Sequence, residues 1–127
     1  MKPDPDITGA GALPQTLPQT LTVALALTTE ASADQAEALA RALLERRLVA
    51  CVSLGPVRSL YRWQGAIEDS QEVELLLKTS PGRLPDLEAA VRDLHSYDTP
   101  EWLCWTAAAS SAYAAWVWEA TSCLSEP

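Results

Sequence analysis

Hydrophobic and polar residues alternate along the chain with the periods of strands and helices. The stretch from Leu21 to Thr29 is apolar and rich in threonine, and polar residues bound it, which is typical of a buried strand. From residue 33 to residue 47 apolar side chains recur at helical spacing, and Ser32 with Gln35 forms a capping-box pattern. The chain is therefore predicted to begin its fold with a strand and an amphipathic helix.

The central segment predicts two long strands that pair with each other. Residues 48–54 predict a strand that Gly55 and Pro56 interrupt, and residues 57–68 predict its long continuation. Asp69 and Ser70 are turn residues, and the pattern from residue 72 to residue 79 predicts a returning strand. We therefore expect an antiparallel hairpin that turns at Asp69 and Ser70.

The last third of the chain predicts a helix, a strand and a final helix. Ser80-Pro81 is a favourable helix start, and the apolar stripe ends near His95. Residues 101–107 predict a strand, and Ser110-Ser111 can cap a third helix. If residues 48–54 and 57–68 are counted as one interrupted strand, the order of elements is strand, helix, strand, strand, helix, strand, helix. This order predicts an α+β fold, a ferredoxin-like split βαβ sandwich with an extra C-terminal helix. Helices would cover one face of the sheet, and a partner subunit is expected on the other.

The N-terminal segment differs from the rest of the chain. Residues 1–20 contain four prolines and two glycines, and Leu-Pro-Gln-Thr at 13–16 is repeated at 17–20. Such a segment has too little apolar surface to fold alone. We therefore predict a disordered tail over residues 1–20 and one folded domain over residues 21–124.

Charge and cysteine content narrow the function classes. The 127-residue chain has a formal net charge of −8, which repels phosphate backbones and anionic lipid, so no nucleic-acid or membrane partner is expected. The chain has three cysteines, an odd number, without Cys-x-x-Cys spacing. A reducing compartment, and hence the cytoplasm, fits this pattern best.

Candidate ligand groups gather in one short stretch. Residues 95–101 hold the chain's only histidine, His95, together with Tyr97 and Glu101, where a helix gives way to a strand. Imidazole and carboxylate groups both bind metals. A second unusual stretch contains Trp63 and is followed by Glu72 and Lys78. A histidine that bonds the last carbonyls of a helix is nevertheless more common than a metal-binding one.

The other candidates also have ordinary structural roles. Trp63 and Tyr97 could be core or interface aromatics, and Glu101 and Lys78 could be solvated strand ends. Cys51 lies in an apolar strand, so a small buried hydrophobic group is its first interpretation and a soft-metal ligand the second. The sequence has no visible nucleophile–base pair, phosphate-binding loop or nucleotide-binding glycine motif. We therefore do not expect an enzyme.

Several segments in fixed order resemble the CutA family, the divalent-cation tolerance proteins. The matching segments are Leu48 to Val52, Ser59 to Ile67, Glu72 and Leu76 to Thr79, followed by His95, Tyr97, Pro100, Glu101, Tyr113 and Trp116. They extend through nearly all of the predicted domain. Members usually have proline where this chain has Ser96, and glycine before the last helix where it has the sequence 107–111.

The resemblance implies a ferredoxin-like fold, a tight homotrimer and a role in binding copper or another divalent metal. The same fold occurs in PII-type signalling trimers, which bind small ligands at clefts between subunits. The residues that the resemblance carries to such a cleft are Trp63, Glu72, Lys78, His95, Tyr97 and Glu101. The expected metal ligands are His95, Glu101 and Cys51. Two alternatives stay open: a PII-like sensor that holds a small anion through Lys78, and a structural trimer without a ligand.

Overall fold

A computed structural model describes residues 22–123, and the elements follow the predicted order. They are β1 (Thr22–Glu30), α1 (Ala33–Glu45), β2 (Cys51–Trp63), β3 (Ala66–Thr79), a 3₁₀ turn (Pro81–Arg83), α2 (Leu84–Leu94), β4 (Leu103–Ala108) and α3 (Ser111–Ala120). The predicted tail over residues 1–20 lies outside the described residues, as do residues 21 and 124.

The four strands form one sheet in the order β2-β3-β1-β4, and every neighbouring pair is antiparallel. The two strand–helix–strand units thus interleave, with β1 and β3 in the centre and β2 and β4 at the edges. This arrangement confirms the predicted ferredoxin-like α+β fold.

The main core lies between the sheet and the first two helices. Side chains alternate across each strand, so Ala26, Leu75 and Leu77 point to the same side. They pack with apolar residues of the helices, which are Ala36, Leu39, Ala40 and Leu43 of α1 and Leu87, Ala90 and Val91 of α2. Ser32 begins α1 as predicted, since its Oγ accepts the Gln35 N–H at 3.2 Å.

The second face of the sheet is only partly covered. At one end α3 packs against it, where Val23 is buried with Ala114 and Val117. We call the rest of this face the open face; strand alternation assigns to it Cys51, Glu68, Glu72, Glu74, Leu76 and Lys78, with Leu25, Leu27, Leu103 and Trp105. Leu103 is 53% exposed and Trp105 is 44% exposed. The described chain therefore leaves a large apolar surface without a cover.

The predicted interruption of β2 is wrong. The strand continues through Gly55 and Pro56, and Pro56 is in register with Val73 of β3. Proline lacks an N–H and is tolerated in a sheet where that position faces away from the neighbouring strand. Because β2 is an edge strand, it has such a side.

The predicted turn at Asp69 and Ser70 is also wrong. The hairpin turns at Gln64 and Gly65, which have positive φ values of 49° and 80°. Two successive residues with positive φ are typical of the two-residue turn that matches the twist of paired strands. Asp69 instead lies within β3 and forms an ion pair with Arg58 across the hairpin, at 2.7 Å.

The longest described helix, α1, has 13 residues. Within residues 22–123, no helix combines the length and the apolar character needed to cross a membrane.

Candidate functional site

The segment after α2 crosses the end of β1, and His95 fixes it there. The His95 N–H donates to the Val91 carbonyl at 2.9 Å and so ends the helix. The imidazole is buried, and the Tyr97 N–H donates to its Nδ1 at 3.0 Å. Nδ1 is therefore the unprotonated nitrogen, and Nε2–H donates to the Thr29 carbonyl at 2.6 Å. Both ring nitrogens of His95 are thus engaged within the chain.

The carboxylate of Glu30 lies beside this ring and was not expected from the sequence. Glu30 is 1% exposed, and it accepts hydrogen bonds from the Ser96 N–H, at 3.2 Å, and from the Ser96 hydroxyl. Its Oε2 lies 3.6 Å from Nδ1 of His95. A glutamate after an apolar strand looks like the polar boundary of that strand, so its burial carried no sequence signal. Proline at position 96 could not donate the backbone bond.

Tyr97 joins this segment to β3. Its hydroxyl donates to Oε2 of Glu72 at 2.8 Å, and its ring centroid lies 5.0 Å from that of His95. The pKa of Tyr97 is raised to about 12, first by burial and then by the hydrogen bond and the negative charge of Glu72. The structure thus connects β1, β3 and the segment after α2 through one polar group of side chains, the Tyr97 cluster: Glu30, Glu72, His95, Ser96 and Tyr97.

The Tyr97 cluster lies where the hairpin leaves the sheet. The last register pair of β1 with β3 is Glu30 with Val73. Glu72 immediately precedes Val73 in β3 and lies just beyond the end of β1. Beyond this point β2 and β3 pair only with each other, as an arm formed by residues 57–72. From Val57 to Trp63 the arm extends by roughly 20 Å.

The structure brings together only some of the residues predicted for the cleft. Glu72, His95 and Tyr97 are in contact, as described above. Trp63 lies at the tip of the arm and is 59% exposed, and Glu101 is exposed before the start of β4. Neither side chain makes a hydrogen bond or an ion pair among residues 22–123. A cleft that contains all of these groups would have to be completed by another subunit.

Lys78 and Cys51 lie farther along the open face. They are register partners, and Nζ of Lys78 donates to Oγ of Ser53 at 3.1 Å. Lys78 is four residues along β3 from Glu74, the register partner of Thr29, which corresponds to roughly 13 Å. Cys51 is therefore distant from the strand position that His95 bonds.

One subunit does not assemble the predicted metal ligands. Among residues 22–123, no group of three or more His, Cys, Asp or Glu side chains could hold a metal ion. The hydrogen bonds of His95 leave no nitrogen lone pair for a metal, since Nδ1 accepts one bond and Nε2 carries a proton. The donor set of His95, Glu101 and Cys51 therefore does not fit a metal within one chain, and the metal ligands stay a prediction for the assembled protein.

Comparison with known proteins gives one consistent result. The family model described as CutA1 divalent ion tolerance protein matches residues 24–120. A divalent-cation tolerance protein CutA from Thermus thermophilus is 45% identical over 76 residues, which are 59% of this chain and 74% of that protein. A protein of the same description from Archaeoglobus fulgidus is 38% identical over 72 residues, 57% of this chain and 71% of its own length.

Solved structures agree with the sequence relatives. The structure of CutA from Synechococcus elongatus superimposes with a TM-score of 0.79 at 38% identity, over 85% of this chain and 97% of that one. CutA1 from Thermus thermophilus gives a TM-score of 0.74 at 38% identity, over 79% and 99% of the two chains. The family model matches most of β1, all of β3 and the Tyr97 cluster, and the chain belongs to the CutA1 divalent ion tolerance family.

Proposed function

We propose that this chain forms a homotrimer in the cytoplasm and binds copper or another divalent metal at the clefts between subunits, as a non-enzymatic protein of metal tolerance. The observation that carries the proposal is the composition of the open face. It holds apolar side chains that need a cover and, on the same surface, carboxylates that can bind a cation.

The apolar part of the open face supports assembly. Leu103 and Trp105 are about half exposed in the isolated chain, and Leu25, Leu27 and Leu76 lie beside them in the register. Contiguous apolar surface of this kind usually marks an interface. The arm adds exposed apolar groups on both of its faces, including Trp63 and Ile67. A ring of three subunits would cover these surfaces and the exposed strand edges.

The polar part of the open face supports cation binding. Alternation along β3 directs Glu68, Glu72 and Glu74 to this face, and Cys51 of β2 lies on it as well. Hard divalent cations need several oxygen ligands, which a second subunit can add, and a thiolate would favour copper or zinc. His95 can serve as a ligand only if its ring gives up internal hydrogen bonds. The carboxylates and Cys51 therefore carry the metal proposal.

Light scattering and calorimetry test the proposal together. At low micromolar concentration the full chain is expected to contain three subunits per particle. Copper, zinc and cobalt are then titrated into the wild type, Glu72→Gln and His95→Ala, with Glu37→Gln as the matched control. Glu37 is an exposed glutamate of α1 that pairs with Arg41. We expect a loss of at least about tenfold in metal affinity for Glu72→Gln and none for the control.

Two results would contradict the metal proposal. One is the absence of saturable binding for all three metals. The other is equal affinity in Glu72→Gln and the wild type. A separate titration at about pH 5.5 tests His95, because protonation competes with metal binding through neutral imidazole. Affinity that is the same at neutral and acidic pH, and in His95→Ala, would exclude this residue as a ligand.

Lys78 favours one alternative, a PII-like sensor of a small anion. Its ammonium group contacts the Ser53 hydroxyl and has no carboxylate partner within residues 22–123. An unpaired lysine on the surface where subunits meet could bind an anionic ligand. Titration with inorganic phosphate distinguishes the two functions. The sensor requires binding that Lys78→Gln removes, whereas metal binding should survive that substitution.

A further inference from the structure

A groove on the helix side of the molecule lies over the buried carboxylate of Glu30. It has a volume of about 290 Å³ and lies between one side of α1, from Gln35 to Ala42, and the end of α2. Glu30 and Ser96 line its polar end, and Leu39, Ala42 and Leu94 line its apolar walls. Small-molecule sites commonly combine apolar walls with a few polar groups in this way, at volumes from roughly 300 Å³.

Glu30 has no lysine or arginine partner among the described residues. Its side chain is 2% exposed, and its hydrogen-bond donors are the uncharged N–H and hydroxyl of Ser96. Nδ1 of His95 lies 3.6 Å from Oε2 of Glu30, but this nitrogen accepts the Tyr97 N–H and donates no hydrogen bond to Glu30. A buried carboxylate without a counter-charge is costly, and this one lies at the end of a groove that a ligand can enter.

The end of α2 adds to the negative potential of the groove. The last carbonyls of a helix lack partners within the helix and carry the negative end of its dipole. Leu94, the last residue of α2, lines the groove. Arg92 of the same turn does not neutralise Glu30, because its guanidinium is exposed and lies 3.4 Å from Glu88 instead.

We infer that this groove is a binding site for a primary alkylammonium ion. The ammonium group would donate hydrogen bonds to Glu30 and Ser96, and the alkyl chain would lie against Leu39, Ala42 and Leu94. An ammonium group is a compact charge with three donors, which suits a narrow polar end. A hydrated metal ion would find only one carboxylate there and would leave the aliphatic walls in contact with water. The site is separate from the open face and does not depend on the metal proposal.

Titration with n-hexylammonium, followed by NMR of leucine methyl groups in the full chain, tests the inference. The neutral probe 1-hexanol has the same alkyl chain without the charge. We expect saturable shifts of the Leu39 and Leu94 methyls with hexylammonium and an affinity for hexanol that is lower by about tenfold or more. Glu30→Gln removes the charge and should weaken hexylammonium binding by a similar factor, with little change for hexanol.

Two further variants complete the experiment. Ala42→Leu fills the groove without altering Glu30 and should reduce the binding of both probes. Glu37→Gln, on the exposed side of the same helix, should leave both unchanged and controls for general attraction to an acidic protein. Circular dichroism melting checks that each variant folds. If Glu30→Gln does not fold, Ala42→Leu still tests the site. Equal affinity for hexanol and hexylammonium, unchanged binding in Ala42→Leu, or no saturable shift at Leu39 and Leu94 would overturn the inference.

Discussion

Replacing Glu72 by glutamine should lower the pKa of Tyr97 without returning it to the ordinary value. The folded pKa is about 12 against an ordinary value of 10.0, and burial is the largest cause. The hydrogen bond from the Tyr97 hydroxyl to Glu72, at 2.8 Å, and the charge of Glu72 come next. The glutamine variant keeps the burial and an acceptor but removes the charge. We therefore expect a pKa between these two values.

The same bond has a measurable effect on stability. Hydrogen bonds to a charged group contribute about 1.5–3 kcal/mol, and partial exposure of both side chains reduces that range. We expect Tyr97→Phe to lower the free energy of unfolding by about 1 kcal/mol at neutral pH. A double-mutant cycle with Glu72→Gln should return a coupling of about the same size. Protein concentration must be held constant, since the stability of an oligomer depends on it.

Alkaline pH should remove this contribution in a defined window. Below pH 10 the phenol is protonated in both the folded and the unfolded chain, and the hydrogen bond stabilises the fold. Between pH 10 and about pH 12 the unfolded phenol ionises while the folded phenol keeps its proton, so the free energy of unfolding falls. Tyr97→Phe should show a smaller loss of stability than the wild type over this range.

Difference spectroscopy isolates the residue from the other tyrosines. Phenolate absorbance is recorded against pH for the wild type and for Tyr97→Phe, and the difference between the curves reports Tyr97. The same subtraction in the Glu72→Gln background gives the shifted value, with circular dichroism to confirm that the chain remains folded. A midpoint near 10 in the wild type, or one that Glu72→Gln does not change, would refute the proposed contact.

The other predictions concern assembly, the buried histidine, the tail and the turn. Trp105→Glu places a charge on the open face and should reduce the particle from three chains to one, or cause aggregation, by light scattering; an intact trimer would show that this face is not the interface. His95→Ala removes two hydrogen bonds and a buried ring and should destabilise the fold by about 2–4 kcal/mol in urea unfolding, so a neutral effect would contradict the observed contacts. Deleting residues 1–18 should leave the melting temperature within a few degrees, and a large drop would mean that the tail docks on the domain. Gly65→Ala should cost about 1 kcal/mol, because φ is 80° there, and a stabilised variant would exclude this turn.

The periodicity of the sequence was sufficient to predict the fold class and the order of the elements. Buried strands and amphipathic helices each leave a local pattern, and the order of those patterns permits few topologies. Helix caps could also be predicted from local sequence. Ser32 and Ser110 begin their helices as predicted, because each serine hydroxyl accepts the N–H of the residue three positions later. The resemblance to the CutA family was stated from motifs along the chain, and the family match over residues 24–120 confirms the family.

Tertiary structure decided the features that depend on distant neighbours. Pro56 looked like the end of a strand, but the position of β2 at the edge of the sheet tolerates it. Asp69 looked like a turn residue, but its partner Arg58 lies across the hairpin. The structural role of each residue depends on its neighbours in the sheet, and the spacing of residues in the sequence does not identify those neighbours.

The candidate site also has features that the sequence predicted and features that only the structure showed. The sequence identified Glu72, His95 and Tyr97 as unusual, because polar and aromatic groups at element ends are visible without a structure. It could not show that both nitrogens of His95 are engaged or that Glu30 is buried beside them, since Glu30 and Ser96 are 66 residues apart in the chain. The sequence by itself thus determined which elements form and which groups are available. Only the folded chain decided which of those groups meet and which remain free for a ligand, because contacts between distant residues depend on how the elements pack.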